Sequence, residues 1–244
     1  MRIAAISDIH GNADALEAVL ADVAVRGADI IVNLGDIVSG PLSPVQTLSR
    51  LMPLVLPTIK GNHERQLLTS PRDAMGLSDR HAYDSLDGQH LAWLASLPNS
   101  LKLYDEVLLV HGGVQSDLTY LMETVEPGCR RAATPIEVAA RLNDVNASLI
   151  LCGHTHVPRS VRLPDGRQVV NPGSVGLQAY ADMLPYPHTI ENGSPHARYA
   201  MIERKRLNWK VELLDVEYDW ERAARLAERQ DRPEWARALR TGSV

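Results

Sequence analysis

The chain has 244 residues, of which 45% are hydrophobic and 23% charged, with a formal net charge of −5. Those proportions suit a folded globular protein and exclude bulk disorder, while the acidic balance argues against a protein that coats nucleic acid by neutralising phosphates. No stretch approaches membrane-spanning length, and the apolar run at Met1 to Ile6 is too short for a signal sequence, so a cytoplasmic protein with no membrane partner is expected. Cys129 and Cys152 lie far apart without C-x-x-C spacing and offer neither a disulfide framework nor a thiolate zinc site.

Taken in order, Arg2 to Ser7 reads as a strand, Asp8 to Asn12 as a loop, and Ala13 to Val25 as a helix with Leu16, Val19, Leu20 and Val23 on one face. The pattern repeats: strand Asp29 to Leu34, loop Gly35 to Pro41, helix Ser43 to Leu51 with Pro44 near its first turn. Two such units predict a parallel sheet, with ligands at the carboxyl ends of the strands. A third strand is expected over Leu54 to Ile59, running into Lys60-Gly61-Asn62-His63-Glu64 and a helix. Ser70 to Gly88 is polar and poorly periodic and reads mostly as loop, followed by a helix over Gln89 to Ser96.

Strands at Ser100 to Tyr104 and Glu106 to Val110 lead into His111-Gly112-Gly113. Ser116 to Pro135 is ambiguous and reads as a cover segment; Thr134 and Pro135 cap and open a helix to Leu142. The apolar run Ala147 to Cys152 reads as a buried strand that delivers Gly153-His154-Thr155-His156. Strands at Pro158 to Leu163 and Gln168 to Val170 are joined by the turn Pro164-Asp165-Gly166-Arg167. Residues 176–196 form a long irregular stretch, a lid or specificity loop or else a surface excursion; its Tyr180, Tyr186, His188 and His196 could stack on a nucleoside or aryl group. A hairpin over Ala197 to Glu203 and Trp209 to Val216 follows, then two helical segments over 219–239 split at Pro233. One domain over 1–244 is expected.

The polar residues just past the expected strand ends are Asp8, His10, Asp36, Asn62, His63, His111, His154 and His156. Singly, each has an ordinary explanation: helix caps for the aspartates, a turn for Asn62, a surface pair for His154 and His156. Gathered by one topology, carboxylate, imidazole and amide oxygen without sulfur suit Mn, Fe, Zn or a similar divalent ion, Ni included, and seven candidate ligands suit two ions sharing a carboxylate.

Asp8-x-His10, Gly35-Asp36, Gly61-Asn62-His63-Glu64, His111-Gly112 and Gly153-His154-x-His156 resemble, in order and spacing, the calcineurin-like metallophosphoesterases, and Asn171-Pro172-Gly173-Ser174 resembles the small bacterial and archaeal phosphodiesterase branch. The resemblance implies a four-layer α/β/β/α sandwich. It implies one metal held by Asp8, His10, Asp36 and His156 and a second by Asp36, Asn62, His111 and His154, with Asp36 bridging. It also implies in-line attack on phosphorus by a hydroxide shared between the metals, and His63 as general acid or as donor to a phosphoryl oxygen.

Where phosphoprotein phosphatases of the superfamily carry Asp-Arg, this chain has Ser39-Gly40. The phosphate clamp is missing and the partner of His63 is left open. The implied substrate is a small phosphoester, nucleotides included, rather than a stable nucleic-acid complex; the oligomeric state is open. Two alternatives stand beside the diesterase: a hydrolase of monoesters or dinucleoside polyphosphates, and a non-catalytic binding scaffold of the same fold, as in a retromer subunit.

Overall fold

A computed structural model describes residues 1–206 and 208–244. The N-terminal units form as expected: β1 (Arg2–Ile6), α1 (Ala13–Arg26), β2 (Ile30–Asn33) and α2 (Pro44–Leu51). Asn12 caps α1 by accepting from the Ala15 amide, and Pro44 occupies the first turn of α2, where its missing N–H costs nothing. There follow α3 (Asn62–Thr69), α4 (Leu77–Ser85), α5 (Gly88–Ser96), β3 (Ser100–Leu103), β4 (Val107–Val110), β5 (Glu123–Glu126), β6 (Cys129–Ala132), α6 (Pro135–Leu142), β7 (Leu149–Leu151), β8 (Arg159–Arg162) and β9 (Gln168–Asn171). The chain closes with β10 (Ala179–Asp182), β11 (His188–Glu191), β12 (Ala197–Lys205), β13 (Asn208–Val216), α7 (Trp220–Arg229) and α8 (Pro233–Thr241).

The strands form two main sheets, ordered β13-β12-β1-β2 and β3-β4-β7-β9-β8, with two-stranded hairpins β5-β6 and β10-β11 beside them. Both main sheets are mixed: β1–β2 and β4–β7–β9 pair in parallel, the rest antiparallel. Side-chain alternation then decides the layers. Ile3, Ala5, Val32 and Leu34 face Val107, Leu109, Leu149, Leu151 and Val170 across the gap between sheets. Ala4 and Ile6 point the other way, into Leu16, Val19, Leu48 and Leu94 of the helices. On the far side Val110, Ile150 and Val169 pack on Val138 and Leu142 of α6. The result is the α/β/β/α sandwich, in which each fully buried Leu or Ile contributes about 1.5–3 kcal/mol.

Four expectations are corrected. Residues 54–59 form no full strand: a 3-10 turn occupies Met52–Leu54, Val55 is left-handed, and only Thr58 bridges to Asn33, because Pro53 and Pro57 remove ladder donors. Within the segment read as loop lies α4, a polar helix whose buried positions are only Asp79 and Ala82, too few to show a period. The ambiguous 116–135 segment contains the β5-β6 hairpin, and the irregular 176–196 stretch is largely the β10-β11 hairpin. Both hairpins are short and interrupted by turn residues, so alternation is too brief to read. Among the described residues no helix is long and apolar enough to cross a membrane.

Candidate metal centre

Past the converging strand ends, five residues adopt left-handed backbone: Asp8 (φ 54°), His10 (53°), Asp36 (53°), His154 (69°) and His156 (58°). That conformation costs about 1–2 kcal/mol per non-glycine residue, although Asp and His tolerate it better than most. The cost is offset by a mesh between loops: Asp8 N donates to Gly35 O at 3.0 Å, His10 N to Asp36 O at 3.0 Å, and Gly153 N to His111 O at 2.7 Å. Buried Glu64 accepts from the amides of Asp36, Ile37 and Gly61 at 2.8, 2.8 and 2.9 Å, tying the start of α3 to the loop after β2. Gly61 is required by contact: a Cβ there would lie 2.1 Å from Asp36 Oδ1.

The structure brings all seven expected ligands together, in two groups. Asp8, His10 and His156 form one and Asp36, His111 and His154 the other, the donor atoms within each lying within 4.8 Å of one another. Asn62 joins the second, its Oδ1 3.0 Å from His111 Nε2. Three imidazoles are oriented by backbone carbonyls: His10 Nδ1 donates to Ser39 O at 2.7 Å, His111 Nδ1 to Leu34 O at 2.8 Å, and His156 Nδ1 to Leu177 O at 2.8 Å. A carbonyl only accepts, so Nδ1 carries the proton in each ring and the lone pair of a neutral ring sits on Nε2, the arrangement that prepares a histidine for a metal.

Those lone pairs supply a test of fit. His10 Nε2 and His156 Nε2 stand 3.1 Å apart. Acceptors facing acceptors in a buried site repel unless a cation lies among them, so the donor set fits metal ions; Asp, His and Asn without sulfur suit hard to borderline divalent ions.

The electrostatics agree. Burial, with His156 beside it, pushes His10 down to about 4, and burial, with His111 beside it, pushes His154 down to about 4, so both rings are neutral and able to ligate. Burial opposes charge on His111, but Asp36 outweighs it and pushes it up to about 10. Burial likewise opposes ionisation of Asp36, yet His111 and His63 hold it well below the usual carboxylate range. A proton on His111 and a metal ion would answer the same carboxylate.

His63 stands apart from both groups, its ring 5.5 Å from that of His10 and its side chain 30% exposed. The partner left open by the sequence is Asp79, on α4: Oδ1 accepts from His63 Nδ1 at 2.8 Å and from Ser39 Oγ at 2.6 Å. Burial opposes charge on His63, but Asp36 and Asp79 push it up to about 9. Sequence reasoning missed Asp79 because its segment read as loop; its only signal was one aspartate three residues from Ala82. Glu64, the neighbouring acid, faces the backbone amides instead. Of the aromatic residues expected around the site, Tyr180 lies edge-on to His156 with ring centroids 4.8 Å apart, while His196 packs on Trp220 at 5.5 Å, away from the centre.

Comparison with known proteins shows the family and the fold. Residues 1–186 match the calcineurin-like phosphoesterase superfamily domain. An uncharacterized protein of Methanocaldococcus jannaschii is 27% identical over 241 residues, 96% of this chain and 94% of its own. A metallophosphoesterase from Sphaerobacter thermophilus superposes with a TM-score of 0.75 at 26% identity, covering 99% of this chain and 100% of its own. A hypothetical protein of Pyrococcus horikoshii gives a TM-score of 0.76 at 19% identity over 99% of this chain and 98% of its own, a likeness of fold. With its fold and its converging Asp, His and Asn residues, the chain belongs to the calcineurin-like phosphoesterase superfamily, metal-dependent hydrolases of phosphate esters.

Proposed function

We propose that the chain hydrolyses phosphodiester or nucleotide-type phosphate bonds with two divalent metal ions, Asp8, His10, Asp36 and His156 holding one and Asp36, Asn62, His111 and His154 the other. When bound, such a pair neutralises phosphoryl charge and acidifies a water molecule. The observation that carries the reading is His63, a partly exposed imidazole oriented by a buried carboxylate, with its ring 5.5 Å from that of His10. With Nδ1 bonded to Asp79, its Nε2 presents the proton that the leaving oxygen needs. Asp79 holds the ring in place and stabilises its charged form, the part played by the acid in a catalytic dyad.

Preference for a diester is supported by what lies where a phosphate clamp would be. Ser39 Oγ is committed to Asp79, and Gly40 packs on Trp235, where a Cβ would meet the ring at 3.0 Å. Arg65, two residues beyond His63, is held by Asp117 through two bonds of 2.6 and 2.8 Å. Neither position offers a free guanidinium to a dianionic monoester. A second reading, hydrolysis of monoesters or dinucleoside polyphosphates, also has use for His63 as the proton donor to the leaving oxygen. Mn, Fe, Zn and Ni all suit the donors, and a small substrate in the cytoplasm suits the acidic chain.

The test is turnover of bis(p-nitrophenyl) phosphate against p-nitrophenyl phosphate with Mn2+, Fe2+, Zn2+ or Ni2+, or with chelator, for wild type and Asp36→Asn. Diester cleavage that chelator stops and the variant lacks is expected. Turnover of the monoester alone would transfer the case to the second reading; no turnover with any metal would overturn both and favour the binding scaffold.

A further inference from the structure

The geometry points to the cavity between the β5-β6 and β10-β11 hairpins as a subsite for the nucleoside half of the ester, an inference that deepens the diesterase reading and rests on it. The cavity is an open groove of about 550 Å³, lined by, among others, Arg130, Asp182, Met183, Pro187, His188 and Thr189. Small-molecule sites fall at about 300–1,000 Å³, so one nucleoside fits.

One residue of its wall, His188, is linked to the metal centre through Tyr120. His188 Nδ1 donates to the Tyr186 carbonyl at 2.7 Å, so its Nε2 accepts from Tyr120 Oη at 3.0 Å. Tyr120 lies edge-on to His154, ring centroids 5.1 Å apart, and its hydroxyl is 2.8 Å from that of Tyr180, which also reaches the His154 carbonyl at 3.3 Å. His154 alone among the seven candidate ligands is not fully buried. The cavity and the centre thus lie on either side of the Tyr120 ring.

The lining chemistry selects the ligand. Arg130 spends Nε on the Thr189 carbonyl at 3.1 Å and makes no ion pair among the described residues, which leaves its terminal nitrogens to donate. Asp182 accepts only the Leu184 amide, at 3.0 Å, and likewise has no cationic partner among the described residues. Met183 and Leu184, 69% and 74% exposed, give the rim an apolar lip. A lone anion would meet the Asp182 carboxylate, and an acyl chain would bury both charges without a partner. A nucleoside answers all three features: sugar hydroxyls for Asp182, base acceptor atoms for Arg130, and a flat face for Met183 and Pro187.

The test compares kcat/KM for thymidine 5′-(p-nitrophenyl phosphate) and for bis(p-nitrophenyl) phosphate in metal-loaded wild type, Arg130→Ala and Asp182→Ala, with calorimetric titration of thymidine into the same proteins. Both substitutions lie at exposed or half-buried positions, and unchanged melting temperatures will show that they fold. The ratio of the two kcat/KM values should fall about tenfold or more in each variant, as expected for a lost hydrogen bond to a charged group, and thymidine affinity should fall with it. An unchanged ratio, or equal loss on both substrates, overturns the subsite. If wild type cleaves no diester, the proposed function fails separately. The titration then decides: saturable thymidine binding weakened by either variant supports the subsite, and its absence, or affinity equal in all three proteins, overturns it.

Discussion

Replacing Asp79 by Ala isolates the role of the His63 pair. In the native chain Asp79 is 6% exposed and its Oδ1 takes two short bonds, from His63 Nδ1 at 2.8 Å and Ser39 Oγ at 2.6 Å. A hydrogen bond to a charged group is worth about 1.5–3 kcal/mol, so if His63 delivers a proton in the transition state its loss should slow that step by about 10- to 150-fold. The loss must depend on the leaving group. A dinucleotide expels an alkoxide that needs the proton, whereas p-nitrophenolate departs without much help, so dinucleotide cleavage should fall by about 100-fold and p-nitrophenyl diester cleavage by less than about tenfold. Asp79→Asn separates orientation from charge: its amide oxygen can still accept from both partners, so the ring stays aligned while the alkaline limb of the pH profile moves down. His63, raised to about 9 partly by the Asp79 carboxylate, loses that support in the amide variant. Equal slowing of both substrates by Asp79→Ala would refute the proton-delivery role and leave Asp79 a packing residue.

Three further outcomes follow from the same geometry. Gly61→Ala drives a Cβ to 2.1 Å from Asp36 Oδ1; overpacking of this kind costs about 1–3 kcal/mol, and displacement of Asp36 should also lower bound metal, so a normal melting temperature with full metal content would contradict the contact. In the metal-free protein, His111 and His63 titrate at about 10 and 9 against an ordinary 6.5. Their stabilisation is fully present below about 6.5 and is lost as pH rises through 9 to 10, so the melting temperature with chelator should fall over that window, by about 2–4 °C per kcal/mol for a chain of this size. On the proposed ligand set, saturating metal would take His111 Nε2 in place of the proton and should flatten that dependence; it should also raise the melting temperature, since 100-fold excess over Kd contributes about 2.7 kcal/mol. A thermal scan series at pH 7 to 10 with and without Mn2+ checks both statements, and identical curves would refute them.

Much of the centre was legible in the chain itself. Asp8, His10, Asp36, His111, His154 and His156 each follow an apolar run short enough to be a strand, and in a layered α/β fold strand ends gather at one edge. Asn62 and His63 were placed by the family motif and by an expected strand over 54–59 that the fold replaces with a 3-10 turn and one bridge; what brings them to Asp36 is Gly61, whose missing side chain lets α3 approach. The α/β/β/α layering was legible through the family resemblance, and alternation along β1 agrees with it, Ile3 and Ala5 facing the second sheet and Ala4 and Ile6 the helices.

Tertiary structure alone decided the rest. Asp79 stands 16 residues from His63 on a helix with almost no apolar face, so no local period announces it; only the packing of α4 against α3 turns its carboxylate to the imidazole. The carbonyls of Ser39, Leu34 and Leu177 that orient the histidines leave no trace in sequence, because every residue has a carbonyl and only the fold selects which one a ring meets. The same holds for the Tyr120, Tyr180 and His188 network, which joins the segment before β5 to the β10-β11 hairpin across 60 and 68 residues. Residue types and their order determined the chemistry this chain can support; long-range contact determined which groups hold that chemistry in place and what lies beside it.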